Sequence, residues 1–177
     1  QVIAAARYSP QYKIAWESRR FWEQDYNIYG GLSYVAGGCS PVWYPSADLF
    51  AERGVLVAGY SAESGAFASA TLGQKLDASR AAVEKLHPGH GRELEKGIYV
   101  GWDRVPWNLG AWISGWFGRY DSVGPSPPNP SYETLIQPDG PFYFAGDHVS
   151  HINAWQEGAA LSALRAVQLI GARVRPA

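Results

Sequence analysis

The residues of this chain best suited to chemistry lie near its end, in PFYFAGDHVSHINAWQEGAALSALRAVQLI, residues 141–170. The apolar run PFYFA predicts a strand that delivers Gly146 and Asp147 to its carboxyl edge, with HVSHI as the connecting loop. In open α/β sheets ligands bind at that edge, and a glycine there lets backbone approach the ligand closely. Asp147 then suits the hydroxyl of a sugar or ribityl chain. Asn153 is placed to cap the following helix, with Gln156 three residues on to reach back. Gly158, Ala159, Ala160, Ser162 and Ala163 make that helix thin, and its N-terminus offers free N–H groups and a partial positive charge. The same residues equally build an ordinary strand–loop–helix unit whose small side chains serve packing, and taken alone they leave both readings open.

Two other groups invite a chemical reading. His87 with His90, and His148 with His151, are each spaced i, i+3. Both pairs fall in loops and neither has an evident third ligand, so no metal is expected. Cys39, in AGGCSP, is the single cysteine. No histidine or aspartate is sequence-linked to it as a base, and a small inert residue in a glycine-rich turn is the simpler reading.

The elements that must position these groups follow from periodicity and punctuation. YKIAWES (12–18) alternates as a strand, followed by the basic-aromatic corner RRFWEQD. GGLSYVAGGCSPVWYP predicts two short extended pieces around a glycine turn, and GVLVAGY (54–60) a buried strand ending at Tyr60. TLGQKLDASRAAVEKLH predicts a helix. Thr71 and Gln74 have capping-box spacing, Leu72, Leu76, Ser79, Val83 and Leu86 share a face, and His87-Pro88-Gly89 stops it. GIYVGWD (97–103) predicts a further strand, and RVPWNLGAWISGWFG a loop rich in glycine and tryptophan. SVGPSPPNPS (122–131) reads as a proline-rich linker, which places an organisational boundary just after it.

Composition narrows the classes. The chain has 177 residues, a net charge of −1, eight Trp, eleven Tyr and no Met. No basic cluster suits nucleic acid, and no apolar run approaches the ~18–20 residues that span a bilayer. An opening at Gln1-Val2-Ile3 without Met or signal-peptide pattern leads us to expect a processed product or a piece of a longer polypeptide. Any export signal would then precede Gln1, so the compartment stays open. Trp and Tyr in such number also suit pockets, where their polar tips find partners.

FAGDHVSHINAWQEGAALSALRA resembles the C-terminal flavin-contacting motif of the flavin-dependent amine oxidases, especially the L-amino acid oxidases. YKIAWESRRFWEQDYNIYGG is similar to that family's segment in which a lysine starts a strand and a basic-Phe-Trp corner follows. VLVAGYSAESGA and GWDRVPWNLGAW match in order and approximate spacing, so the resemblance runs from about residue 8 to 172. It implies an α/β chain: an α+β part of the substrate-binding domain over 1–136, then the C-terminal strand–helix of a Rossmann-like FAD-binding domain over 137–177.

The resemblance also implies roles. Lys13 falls where the family keeps a lysine that holds a water against the flavin. Gly146 and Asp147 match residues at the ribityl–pyrophosphate portion, and Ala154, Trp155 and Gln156 match helix-opening residues that touch the ring. Ala154 stands where glycine is common, and Trp155 also walls the substrate site. Tyr60 corresponds to a tyrosine that hydrogen-bonds the substrate carboxylate, and Trp112 and Trp102 to pocket walls. The family's covalent Gly-Gly-Cys attachment is not expected: GGC at 37–39 lies far upstream of the matching position, which reads Leu109-Gly110-Ala111-Trp112. Non-covalent FAD is the expectation. The chain has no GxGxxG, so the ADP half of FAD requires a partner segment that bears this motif and the carboxylate-binding arginine. The implied reaction is oxidative deamination of an L-amino acid by O2, in a homo- or hetero-oligomer. Oxidation of amines lacking a carboxylate and a non-catalytic module that kept the fold are the alternatives.

Overall fold

The computed structural model of the chain describes residues 2–36, 39–113 and 130–174. They fall into two compact units: Pro10–Leu109, and Gln1–Ser9 with Gly110–Ala177. Of the linker expected at 122–131, residues 122–129 lie outside the described residues, as does part of the tryptophan-rich loop, while Pro130 and Ser131 open a helix instead.

The first unit is built on β1 (Gln11–Arg19), whose burial alternates residue by residue from Tyr12 onward. Tyr12, Ile14, Trp16 and Ser18 face the core, while Lys13, Ala15, Glu17 and Arg19 take the opposite face, as the two-residue pleat requires. A single helical turn, α1 (Phe21–Gln24), follows. β2 (Leu32–Ser33) and β3 (Val42–Trp43) are the two short extended pieces, and β4 (Arg53–Ala62) is the long strand, which runs two residues past Tyr60 and buries only Leu56, Ala58 and Gly59. After a short α2 (Gly65–Ser69), α3 (Leu72–Leu86) leads to β5 (Glu95–Gly101) and the 3-10 turn Trp102–Arg104. The sheet order is β2-β3-β4-β1-β5, and every pairing is antiparallel. The core gathers Tyr12, Ile14, Trp16, Phe21, Trp22, Leu56 and Val83.

The Thr71–Gln74 capping box forms as its spacing predicts. Of the face expected for α3, Ser79 and Val83 are buried and Leu76 and Leu86 pack against the core, whereas Leu72 is exposed; Lys75 and Ala82 are buried beside them. Lys75 takes the inward place because Glu63 meets it at 2.7 Å, both side chains being almost fully buried. Its ammonium also reaches the Tyr99 hydroxyl at 3.1 Å. A buried charge so paired holds its position, and removal of Glu63 leaves the Lys75 ammonium without a carboxylate at about 3–5 kcal/mol.

The second unit contains α4 (Pro130–Leu135), the 3-10 turn Asp147–Val149 and α5 (Gln156–Val174) around Ile113, Tyr132, Leu135 and Val149. Here the expectation of a strand over PFYFAGD is corrected. Residues 141–147 form only an isolated bridge, Asp139 with Phe142. A strand exists through its ladder, and among the described residues none runs beside this segment. The expected Asn153–Gln156 cap is also corrected: α5 begins at Gln156, and the side-chain amide nitrogen of Asn153 is buried without a partner. The described residues are therefore a mixture of helices and one antiparallel sheet.

Candidate active site

In the sheet unit, Lys13 is paired with Tyr60 on β4 and with Val100 on β5. The first pairing depends on a bulge. Ala15 faces Val57, whereas Lys13, two residues earlier, faces Tyr60, three residues later. The extra residue falls at Ala58–Gly59, both buried in succession. A bulge re-aims the side chains beyond it, and here it brings Tyr60 opposite Lys13. Gly59 suits this position because a Cβ would press within 3.4 Å of Tyr12, Ile14 and Cys39. From α3, the Ser79 hydroxyl accepts from Trp16 Nε1 at 2.9 Å and donates to the Ala58 carbonyl at 2.5 Å, which ties the helix to the bulge.

The Lys13 ammonium lies 4.7 Å from the Tyr60 ring centroid and 5.6 Å from that of Trp43. Neither the Lys13 ammonium nor the Tyr60 hydroxyl has a hydrogen-bond partner among the described residues, so both polar tips are available to a ligand. Trp102 opens the turn two residues past Val100 and is half-buried. That turn is held by Arg104, which reaches Glu63 at 3.2 Å and the Ala68 carbonyl at 3.0 Å.

In the second unit, Gly146 and Asp147 come together with the opening of α5. Gly146 has φ +146°, and a Cβ there would collide with the His148 ring. Its N–H donates to Ser162 Oγ at 2.8 Å, and the Ser162 hydroxyl lies 2.8 Å from the carbonyls of Gly146 and Ala159. Asp147 Oδ2 accepts from the Ala154 N–H at 2.8 Å. Oδ1 has no hydrogen bond among the described residues and lies 3.9 Å from His148 Nδ1. Ala154 itself has φ +67°. Trp155 is 70% exposed and Gln156 is the first residue of the helix. Trp112 is half-buried, and its carbonyl accepts from Ser9 N–H at 2.8 Å.

The groups read as alternatives are accounted for. His87 is buried against the Tyr44 hydroxyl at 2.7 Å, and burial lowers its pKa. His90 meets Glu93 at 2.9 Å, and His151 the Tyr132 hydroxyl at 3.0 Å. Among the described residues no group of three or more His, Cys, Asp or Glu could hold a metal. Cys39 is fully buried and burial pushes its thiol pKa up, the opposite of what a nucleophile needs.

Sequence reasoning missed Trp43, the Glu63–Lys75 pair, and the hydrogen bonds of Ser79 and Ser162, which it had placed on helix faces only. Lys75, Ser79, Ala82 and Val83 do stand at helical spacing, so a buried lysine was available as a signal. Trp43 offered none, because its place depends on the order of three strands.

The family described as flavin containing amine oxidoreductase matches residues 14–171. The flavin-dependent L-tryptophan oxidase RebO of Lentzea aerocolonigenes is 30% identical over 182 residues, covering 97% of this chain and 36% of that protein. An L-amino-acid oxidase of Siganus canaliculatus is 30% identical over 94% of this chain and 31% of its own length. One of Notechis scutatus scutatus is 26% identical, over 85% and 28%. The chain belongs to the flavin-containing amine oxidoreductase family, and it spans about a third of the length of these relatives.

Membership implies a flavin, and the residues of the second unit fit one. Asp147 keeps one oxygen open, the buried Asn153 amide lacks a partner, Gly146 adopts a conformation that bars a side chain, and an indole stands exposed beside them. That is a donor, an acceptor and an apolar face within ten residues. No described helix is long and apolar enough to cross a membrane.

Proposed function

We propose that this chain is the C-terminal part of an FAD-dependent L-amino acid oxidase, in which residues from 137 onward complete a Rossmann-like FAD-binding domain and those before it contribute to the substrate domain. The observation that carries this is the pairing of Lys13 with Tyr60 across a bulge, which leaves an ammonium and a phenol hydroxyl free on one sheet face. The relatives named L-amino-acid oxidases and the L-tryptophan oxidase support the substrate class.

In this reading Asp147 accepts a hydrogen bond from the ribityl portion through its open oxygen, and Gly146 lets backbone approach it. Ala154, Trp155 and Gln156 meet the ring system, and the Trp155 indole shields one wall of the substrate site from water. Tyr60 donates to the substrate carboxylate. Trp102 and Trp112 each supply an aromatic wall for the substrate side chain, and the Lys13 ammonium holds a water. These residues hold a neutral amine with its α-hydrogen oriented, which is an entropic contribution to the rate. When bound, FAD would supply the hydride acceptor, with O2 as the final oxidant and hydrogen peroxide as its product. The imine product hydrolyses to a 2-oxo acid and ammonia. FAD is held without a covalent bond, consistent with a buried Cys39. A segment bearing GxGxxG and the carboxylate-binding arginine completes the site.

The test compares peroxide release by the intact protein from an L-amino acid and from its decarboxylated amine. The amino acid is expected to be the better substrate, through the Tyr60 contact. Equal or faster oxidation of the amine would assign the protein to amines instead.

A further inference from the structure

We propose that Trp43 is the positioning residue for Lys13, its indole and the Tyr60 ring holding the ammonium between them while leaving its N–H donors free for a water. This role rests on the oxidase reading above.

The chain has four lysines. Lys75 and Lys96 are each paired with a carboxylate, at 2.7 and 2.6 Å, and Lys85 donates to the Ala36 carbonyl at 3.1 Å. Lys13 alone has neither an ion pair nor a hydrogen bond among the described residues. Its described partners are two π faces, at 4.7 and 5.6 Å. The distinction is chemical. A carboxylate would neutralise the cation and consume a donor, whereas a ring face stabilises the charge and leaves the donors unspent.

Trp43 is driven to this position by its neighbours. Val42 and Tyr44 are both buried to within 1%, and Tyr44 is fixed by His87 and by Ser33 at 2.9 Å. The two-residue pleat then sends Trp43 to the other face, where it is 38% exposed. β3 pairs it with Val57, the residue just before the bulge. Its ring stacks near that of Tyr60, with centroids 6.4 Å apart and planes 30° apart. The pairing with Val57 therefore sets the second wall of the cage, beside the Tyr60 that the bulge turns toward Lys13.

The test uses the intact, flavin-loaded protein. Its lysines are reductively methylated with 13C, which keeps their charge, and Lys13 is assigned by loss of its signal in Lys13→Arg. The Lys13 methyl resonance is expected upfield of that of exposed Lys96, through the ring currents. That shift is expected to shrink in Trp43→Leu and largely return in Trp43→Phe. In unmethylated protein, Trp43→Leu is expected to lower kcat about three- to thirtyfold while KM stays within about twofold, and Trp43→Phe to recover most of the loss. An unshifted Lys13 resonance, one that Trp43→Leu leaves in place, or full turnover in Trp43→Leu overturns the proposal. A shifted, Trp43-dependent resonance in a protein that oxidises no amine or amino acid overturns the oxidase reading, and the positioning role falls with it although the cage exists.

Discussion

With φ at +67°, Ala154 holds a left-handed backbone conformation that costs a residue with a Cβ about 1–2 kcal/mol. The Asp147 carboxylate grips its N–H at 2.8 Å and so helps to sustain it. Such strain persists only where the surroundings over-determine it, and here the next residue is the exposed Trp155. Ala154→Gly relieves the strain but loosens the unfolded chain. The net expectation is a gain of about 0.5–1 kcal/mol in urea unfolding of the intact protein. A loss of stability would mean that the methyl group is packed to advantage and that the turn is unstrained. The conformation itself could not be read from the sequence, because alanine is the residue least suggestive of it. Gly146 was expected to let backbone approach a ligand; what the structure shows is a different constraint, since a Cβ there would meet the His148 ring.

Among elements, those whose evidence is local were legible. β1 alternates from Tyr12 onward, α3 carries its capping box and stop signal, and both form close to the expected limits. What was illegible depends on partners distant in sequence. The segment 141–147 has strand composition and no strand beside it among the described residues, so composition misled. The bulge in β4 adds one residue to an otherwise regular strand, and only the register with β1 exposes it. Lys75 turns inward because Glu63, twelve residues away, is also buried there. The bulge is the element on which Tyr60 depends, and Ser79 is its support. Ser79→Ala leaves Trp16 Nε1 and the Ala58 carbonyl without their shared partner. A destabilisation of about 1–3 kcal/mol is expected in chemical denaturation, with a fall in turnover as Tyr60 loses its register. An Ser79→Ala protein as stable and active as the wild type would show that the bulge holds without this tie.

For the whole molecule, the chain supplies two partial surfaces and spans about a third of its relatives' length. A sheet face carries the free Lys13 and Tyr60 tips, and a helix opening carries Asp147 and Trp155. The family resemblance was legible because four motifs keep their order across the chain. The substrate side chain was not, because Trp102 and Trp112 sit in loops whose facing walls lie in other segments in this account. The most direct measurement is anaerobic mixing of the intact protein with L-amino acids, followed by the visible absorbance of its flavin. The account predicts a yellow protein whose FAD is released on denaturation and whose colour bleaches with L-amino acids but not with their D enantiomers. An intact protein that carries no flavin, or whose flavin no amino acid bleaches, would contradict it.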